Sequence, residues 1–273
     1  MSSFFIIFGS PRSGTTLLAQ CLSNHRDIII PYETDFLIPA ALIFNHVKDT
    51  ATGKRLIADL IVSTNDFRSL AEYLTEKEIQ SLILESDYDF QTIVHSIYSA
   101  IAKKVNKRVA GDKSPNDLHN ADSLLQAGLL EEQTKVIHIV RDIRGVTESL
   151  IRMNWAPGLE GNFPRYWCAN NLFLHTIMSN EPNYFFLRYE DFVTEPHGHM
   201  QKLCTFLGVS FEASMLDTST FHQRYKVMPA HSHLYEAISK RSIGIWKSAL
   251  TIEQVRMIET QAREGLLKFG YLD

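Results

Sequence analysis

The sequence predicts an α/β fold in one domain over residues 1–273: a central parallel sheet flanked by helices, with a helical insertion at about 35–107. Three observations predict it. Short apolar runs alternate with stretches of helical period, a glycine-bounded turn joins the first run to the first helical stretch, and no Pro/Gly-rich linker interrupts the chain. The 273 residues, 45% hydrophobic and 21% charged, are enough to bury a core and too apolar for disorder.

Phe4-Phe5-Ile6-Ile7-Phe8 is a continuous apolar run that stops at Gly9, which suits a strand covered on both faces. Residues 15–24 place Leu17, Leu18, Cys21 and Leu22 at helical spacing. Residues 28–30 read as a short strand ended by Pro31. In the insertion, Thr75 with Glu78 forms a capping box ahead of Ile79, Leu82 and Ile83. Phe90, Ile93, Val94, Ile97, Tyr98 and Ile101 then make an apolar stripe. Strand signals return at 108–110, 136–140 and 184–187, with helices expected over 117–127, 143–153, 164–180, 196–207 and 251–267. Thr251 with Gln254 caps the last of these, Leu272 is expected to pack back on the body, and 209–250 reads largely as loop. In such a sheet, ligands gather at the carboxyl ends of the strands.

Several function classes fall away. The 27 Lys+Arg against 31 Asp+Glu leave a net charge of −4, the wrong balance for a general nucleic-acid binder, though a local cationic site stays open. Cys21, Cys168 and Cys204 form no C-x-x-C pair and read as small buried hydrophobes in a reducing compartment. No apolar run approaches the roughly 18 residues of a spanning helix, and residues 4–8 are too short for a signal peptide, so a cytoplasmic protein is expected. His197/His199 and His231/His233 are H-x-H pairs, but i and i+2 do not share a helix face and no third ligand is evident, so no metal is expected. Trp155, Trp167 and Trp246 read as core or wall residues.

Gly9-Ser10-Pro11-Arg12-Ser13-Gly14-Thr15-Thr16 lies between the first strand and the first helix. Backbone N–H groups in such a turn, with the helix start behind them, cradle an anion. The glycine spacing makes the sheet one of P-loop type, yet Thr15 stands where the nucleotide-triphosphate loop carries its lysine. With Arg12 in the loop and two hydroxyls after Gly14, it suits a single phosphate bearing a less charged leaving group. A second anion site is expected from Arg141, at the end of the strand 136–140, and Ser149, eight residues on in the following helix. Two such sites suggest a nucleotide phosphorylated at both its 5′ and 3′ positions.

These residues resemble the sulfotransferases that use 3′-phosphoadenosine 5′-phosphosulfate (PAPS), and among them the tyrosylprotein and bacterial branch. The 5′-phosphosulfate loop of that family looks like Pro11 to Thr16, and its 3′-phosphate motif like Arg141 to Ser149. The resemblance gives Ser13, Gly14, Thr15 and Thr16 the 5′-phosphate, and Arg141 and Ser149 the 3′-phosphate. Pro31-Tyr32-Glu33-Thr34 falls 21 residues after Arg12, where the branch carries its general base, so Glu33 inherits that role. Gly111-Asp112-Lys113-Ser114-Pro115 is similar to the family's Lys-Asp-Pro segment, and with Arg12 its Lys113 would stabilise the bridging oxygen of the departing phosphate. Tyr189 in Arg188-Tyr189-Glu190-Asp191 would lie by the nucleotide. Lys240 and Arg241 open a segment like the 3′-phosphate loop that ends in Gly-x-Trp-Lys, but the usual Arg-Lys-Gly triplet is missing.

The implied reaction is in-line transfer of a sulfuryl group to an acceptor hydroxyl, releasing adenosine 3′,5′-bisphosphate without a metal. The acceptor stays open among peptide tyrosine, carbohydrate, lipid and metabolite, and so does pairing into a homodimer. Plainer readings stand beside these roles: Glu33 as a helix-start carboxylate, Lys113 as a surface lysine, Asp112 and Asp117 as caps, and Tyr189 as a core aromatic. His119 is a less favoured base than Glu33. A kinase using ATP or a non-catalytic nucleotide sensor is the alternative to transfer.

Overall fold

A computed structural model describes residues 3–64, 67–114, 116–154, 161–221 and 234–273. Trp155, Pro115 and the pair His231/His233 lie outside the described residues. The sheet has five strands, β1 (Ser3–Phe8), β2 (Ile28–Ile29), β3 (Val109–Asp112), β4 (Thr134–Val140) and β5 (Tyr184–Arg188), in the order β2-β3-β1-β4-β5. β1 runs parallel to β3 with Ser3 opposite Val109 and Ile6 opposite Asp112, and β2 pairs parallel to β3 on its other side. Phe4 to Phe8 are all buried, as the continuous apolar run demands of a strand covered on both faces.

The chain divides into two compact units. The first holds β1, residues 25–137 and residues 181–185. Its insertion is helical, as expected: α1 (Leu37–His46), α2 (Thr50–Ser63), α3 (Phe67–Ala71), α4 (Glu76–Glu85) and α5 (Phe90–Lys104). Three of the four longer ones start on a side-chain cap, whereas α1 follows Phe36 without one. Asp49 and Asp89 accept from Thr52 and Thr92 N–H groups, and the Thr75/Glu78 capping box is formed in both directions. The α5 stripe from Phe90 to Ile101 is fully buried, and the Tyr98 ring lies 4.5 Å from that of Phe4 on β1. The helix expected over 117–127 begins instead as a 3-10 turn, Asp117–Asn120, before α6 (Ala121–Gln126).

The second unit holds residues 9–24, 138–180 and 186–273. Helices Thr15–Ser23, Ile143–Arg152, Phe163–Met178 and Pro196–Leu207 match the sequence periods within two residues. Val140, Ile143, Val146, Trp167, Ile258, Leu266 and Phe269 belong to one core cluster, and Leu272 packs against its margin. The last helix is interrupted at Ala262 into Ile252–Gln261 and Arg263–Lys268. Gly265 seats there on Trp167, whose ring is 2.7 Å from where a Cβ would stand. Among the described residues 209–221 and 234–250, only short 3-10 turns and the helix Trp246–Ala249 form. Asn24 stands in for periodicity: its amide donates to Ser214 O, Asp217 O and Thr220 Oγ1 and pins that stretch.

Candidate functional site

Within the second unit, the loop from Gly9 to Thr16 carries two left-handed residues, Arg12 at φ 68° and Gly14 at φ 90°. A Cβ on Gly14 would lie 2.5 Å from Tyr189 Cδ2, and one on Gly9 would lie 2.7 Å from Ile139 O. The spacing of the two glycines is therefore steric: each lies where only a bare backbone fits. Ser13 N–H donates to Ser10 O, and Leu18 N–H returns to Gly14 O to start the helix Thr15–Ser23. Ser10 is held from beneath, since Asn171 Nδ2 donates to its Oγ while Asn171 Oδ1 accepts from His138 Nε2. Thr15 is buried and Thr16 half-buried at the helix start. Ser13 Oγ is buried with no hydrogen-bond partner, and so is Thr147 Oγ1. An unpartnered hydroxyl in a turn of inward N–H groups is what an oxyanion would satisfy.

Of the expected cationic residues, Arg12 and Arg141 meet at this loop. Arg12 Nε donates to Ser149 Oγ at 3.0 Å, and Arg141 Nη1 donates to Arg12 O at 2.9 Å. Arg141 also donates to Ser242 O and stacks 4.7 Å over the Tyr189 ring, whose hydroxyl meets Ser242 Oγ at 2.7 Å. Tyr189 is thus a wall of the cluster rather than a plain core aromatic. Burial, then the nearby charges of Arg141 and Arg152, hold the Arg12 guanidinium down at about 10. Cations crowded this closely gain from a polyanion among them.

Two cavities open beside the cluster, one of about 380 Å³ lined by Leu17, Arg152, Tyr189, Arg241 and Ser242. The other, about 270 Å³, is lined by Arg141, Arg144, Arg188, Lys247 and Trp246. Arg144 is forked onto Asp142, paired to Glu259 and laid 4.1 Å over Trp246, which makes that tryptophan a wall residue. Lys240 is exposed, and Arg241 ion-pairs with Glu236 at 2.7 Å. The residue of that segment that joins the cluster is Ser242, which sequence reasoning passed over, along with Arg144 and Arg152. Ser242 lies directly after the two cations that drew attention, and its short side chain gave no charge signal.

In the first unit, Lys113 Nζ ion-pairs with Glu33 Oε1, and Lys113 is 1% exposed. It is no surface lysine. Glu33 is no helix-start carboxylate either, since α1 begins at Leu37 with Phe36 as its N-cap. Asp112 and Asp117 do not act as caps. Asp112 Oδ1 accepts from Thr34 Oγ1 at 2.6 Å and Tyr98 OH at 2.5 Å, buried completely. Ser114 Oγ accepts the N–H groups of Thr34 and Asp35. Burial and the charge of Asp112 push the Asp117 carboxyl well up. His119 is half-buried, and burial pushes its imidazole down. Among the described residues no group of three or more His, Cys, Asp or Glu side chains would hold a metal ion, and no helix is long and apolar enough to cross a membrane.

Against known proteins, the model of the sulfotransferase family matches residues 5–213. Sulfotransferase 2A1 of Rattus norvegicus is 25% identical over 201 residues, 63% of this chain and 68% of that protein. Among solved structures, the sulfotransferase domain from the Synechococcus PCC 7002 olefin synthase superposes with a TM-score of 0.63 at 23% identity, covering 95% of this chain and 94% of that one. A mouse sulfotransferase, SULT7A1, solved in complex with PAP, shares the fold at a TM-score of 0.51 and 15% identity, covering 97% and 84%.

Proposed function

The chain belongs to the sulfotransferase family and transfers a sulfuryl group, and we propose that its donor is PAPS, with residues 1–273 serving as one functional domain. The observation that carries this reading is the closed constellation of Arg12, Ser149, Arg141, Tyr189 and Ser242 around a loop whose Ser13 hydroxyl has no partner. PAPS supplies an activated sulfuryl group carrying one negative charge, less than a terminal phosphoryl, so side-chain cations suffice to neutralise the transition state. Ser13, Gly14, Thr15 and Thr16 take the 5′-phosphate on backbone N–H groups and hydroxyls. Arg141 and Ser149 take the 3′-phosphate by charge-assisted bonds, with Tyr189 as wall and Lys240 and Arg241 at the outer edge. Arg12 and Lys113 stabilise charge on the departing oxygen, a contribution of about 3–4 kcal/mol where one such donor is removed. Glu33 accepts the acceptor's proton, worth roughly 10²–10⁴-fold. The ion pair of Glu33 with Lys113 supports this reading, since a carboxylate and an ammonium that act in one transfer would have to lie together.

Within the family we place the chain nearest the tyrosylprotein and bacterial branch, on the position of Glu33 and the Gly111 to Pro115 segment. A hydroxyl of a peptide tyrosine, carbohydrate, lipid or metabolite is the acceptor. The three cysteines are buried and free, which suits the cytoplasm. Calorimetric titration decides the donor: adenosine 3′,5′-bisphosphate binds and raises the melting temperature, whereas stabilisation by ATP·Mg²⁺ alone would refute the reading in favour of a kinase.

A further inference from the structure

Lys113 is a fully buried ammonium, and buried charges persist where neighbouring groups fix them. Its two chain neighbours grip the residues that follow Glu33. Asp112, before it, accepts the Thr34 hydroxyl at 2.6 Å; Ser114, after it, accepts the Thr34 and Asp35 N–H groups at 3.3 and 3.2 Å. Tyr98, from α5, donates a second hydroxyl bond to Asp112 at 2.5 Å and lies 3.1 Å from Thr34 Oγ1. Ser69 Oγ holds the Glu33 carbonyl at 3.3 Å. Four of these groups, Thr34, Tyr98, Asp112 and Ser114, are 1% exposed or less. None of these bonds reaches the Glu33 carboxylate or the Lys113 ammonium directly, yet together they hold the residues on both sides of Lys113 against the Glu33 carbonyl and the two residues that follow it.

We propose that Asp112, with Thr34, Tyr98 and Ser114, is a positioning clamp that locks the strand end bearing Lys113 to the segment bearing Glu33 and so sets their ion pair. The proposal rests on the reading of Glu33 and Lys113 as base and cation of the transfer. Asp112 is its hub and touches no reacting atom. The clamp is built of hydroxyl donors onto Asp112 Oδ1 and backbone donors onto Ser114 Oγ, while Asp112 Oδ2 is buried without a partner among the described residues, so each bond to Oδ1 weighs the more. This gives the buried tyrosine of α5 a reason beyond packing: its ring belongs to the core and its hydroxyl to the site.

The test reads Lys113 itself, in the full chain, without an acceptor. Acetylation of each lysine by trace acetic anhydride is followed by mass spectrometry, with Lys107, held by the carbonyls of His25 and Ile28, as internal reference. Thr34→Val keeps the shape and removes the donor, Ser114→Ala removes the backbone acceptor, and Thr34→Ser restores the hydroxyl. Lys113 acetylation relative to Lys107 rises at least fivefold in Thr34→Val and in Ser114→Ala and returns to within twofold of the parent in Thr34→Ser. The affinity for adenosine 3′,5′-bisphosphate stays near the parent's, and the melting temperature falls by no more than the loss of one buried hydrogen-bond partner accounts for. An unchanged Lys113 ratio in both variants overturns the clamp, and so does a rise shared by every lysine, which marks general loosening. Should the parent fail to bind adenosine 3′,5′-bisphosphate, the donor assignment falls, while the Lys113 ratios still decide whether the clamp exists.

Discussion

Replacing Gly14 by alanine tests the anion loop with a single methyl group. Gly14 has φ 90°, where an L-residue costs about 1–2 kcal/mol. The new Cβ would also stand 2.5 Å from Tyr189 Cδ2 and 2.8 Å from Cε2, so the ring must move. That ring is not free to swing, because its hydroxyl is bonded to Ser242 Oγ and Arg141 is stacked on its face. Giving up the hydrogen bond costs about 1 kcal/mol and weakening the cation–π contact about as much again. The sum is about 3–4 kcal/mol of unfolding free energy, read by denaturant titration, with at least a tenfold loss of affinity for adenosine 3′,5′-bisphosphate read by calorimetry. Adding Tyr189→Ala in the Gly14→Ala background should recover the steric part, so the double variant costs less than the two singles combined. If Gly14→Ala keeps both its stability within about 0.5 kcal/mol and its nucleotide affinity, the steric account of the loop is wrong.

Two further outcomes follow from single groups. Burial and the charge of His175 hold the fully buried His138 down at about 4 against an ordinary value of 6.5, so the unfolded chain takes up the proton first on acidification. Stability from this residue is complete above pH 6.5 and is lost as pH falls towards 4, at up to about 1.4 kcal/mol per unit and roughly 3 kcal/mol in all. Denaturant midpoints between pH 7.5 and 4.5 check this; a slope that His138→Gln leaves untouched would remove the explanation. Thr75→Ala deletes the hydroxyl that accepts Glu78 N–H and should cost about 1 kcal/mol, with Thr75→Ser close to neutral, by thermal melts.

Much of the fold was legible because burial on both faces and helical period leave direct marks. Phe4 to Phe8 and the α5 stripe are buried as their patterns require, and both capping boxes form from residues three apart. The break at Ala262 was not legible, since it follows the approach of Trp167 to Gly265, two residues distant in sequence by almost a hundred positions. Charge at a glycine-bounded turn and at a strand end made Arg12 and Arg141 visible, and the resemblance of its segment did so for Lys113. Ser242 and Thr34 escaped notice because a hydroxyl announces nothing until a partner distant in sequence is beside it. Asp112 and Asp117 misled for a related reason: an acid near a turn reads as a cap, and only burial, with Asp112 accepting hydroxyls from Thr34 and Tyr98, shows otherwise.

The backbone of Arg12 joins these strands of reasoning. A glycine would adopt φ 68° at little cost, whereas an arginine there is disfavoured by about 1–2 kcal/mol. Such a conformation persists only when the surroundings over-determine it. Here they do: Arg141 donates to the Arg12 carbonyl while the Arg12 guanidinium donates to Ser149, so the residue is held at both its backbone and its side chain. Burial, and after it the repulsion between these two arginines brought close, holds Arg12 down at about 10. Backbone strain and like-charge repulsion in one loop both destabilise the protein alone, and an anion of the phosphate class relieves the second directly. A loop of this kind exchanges stability of the free protein for grip on its ligand, so adenosine 3′,5′-bisphosphate should raise the unfolding free energy more in the parent than in Arg12→Gly, where the cation that grips is gone.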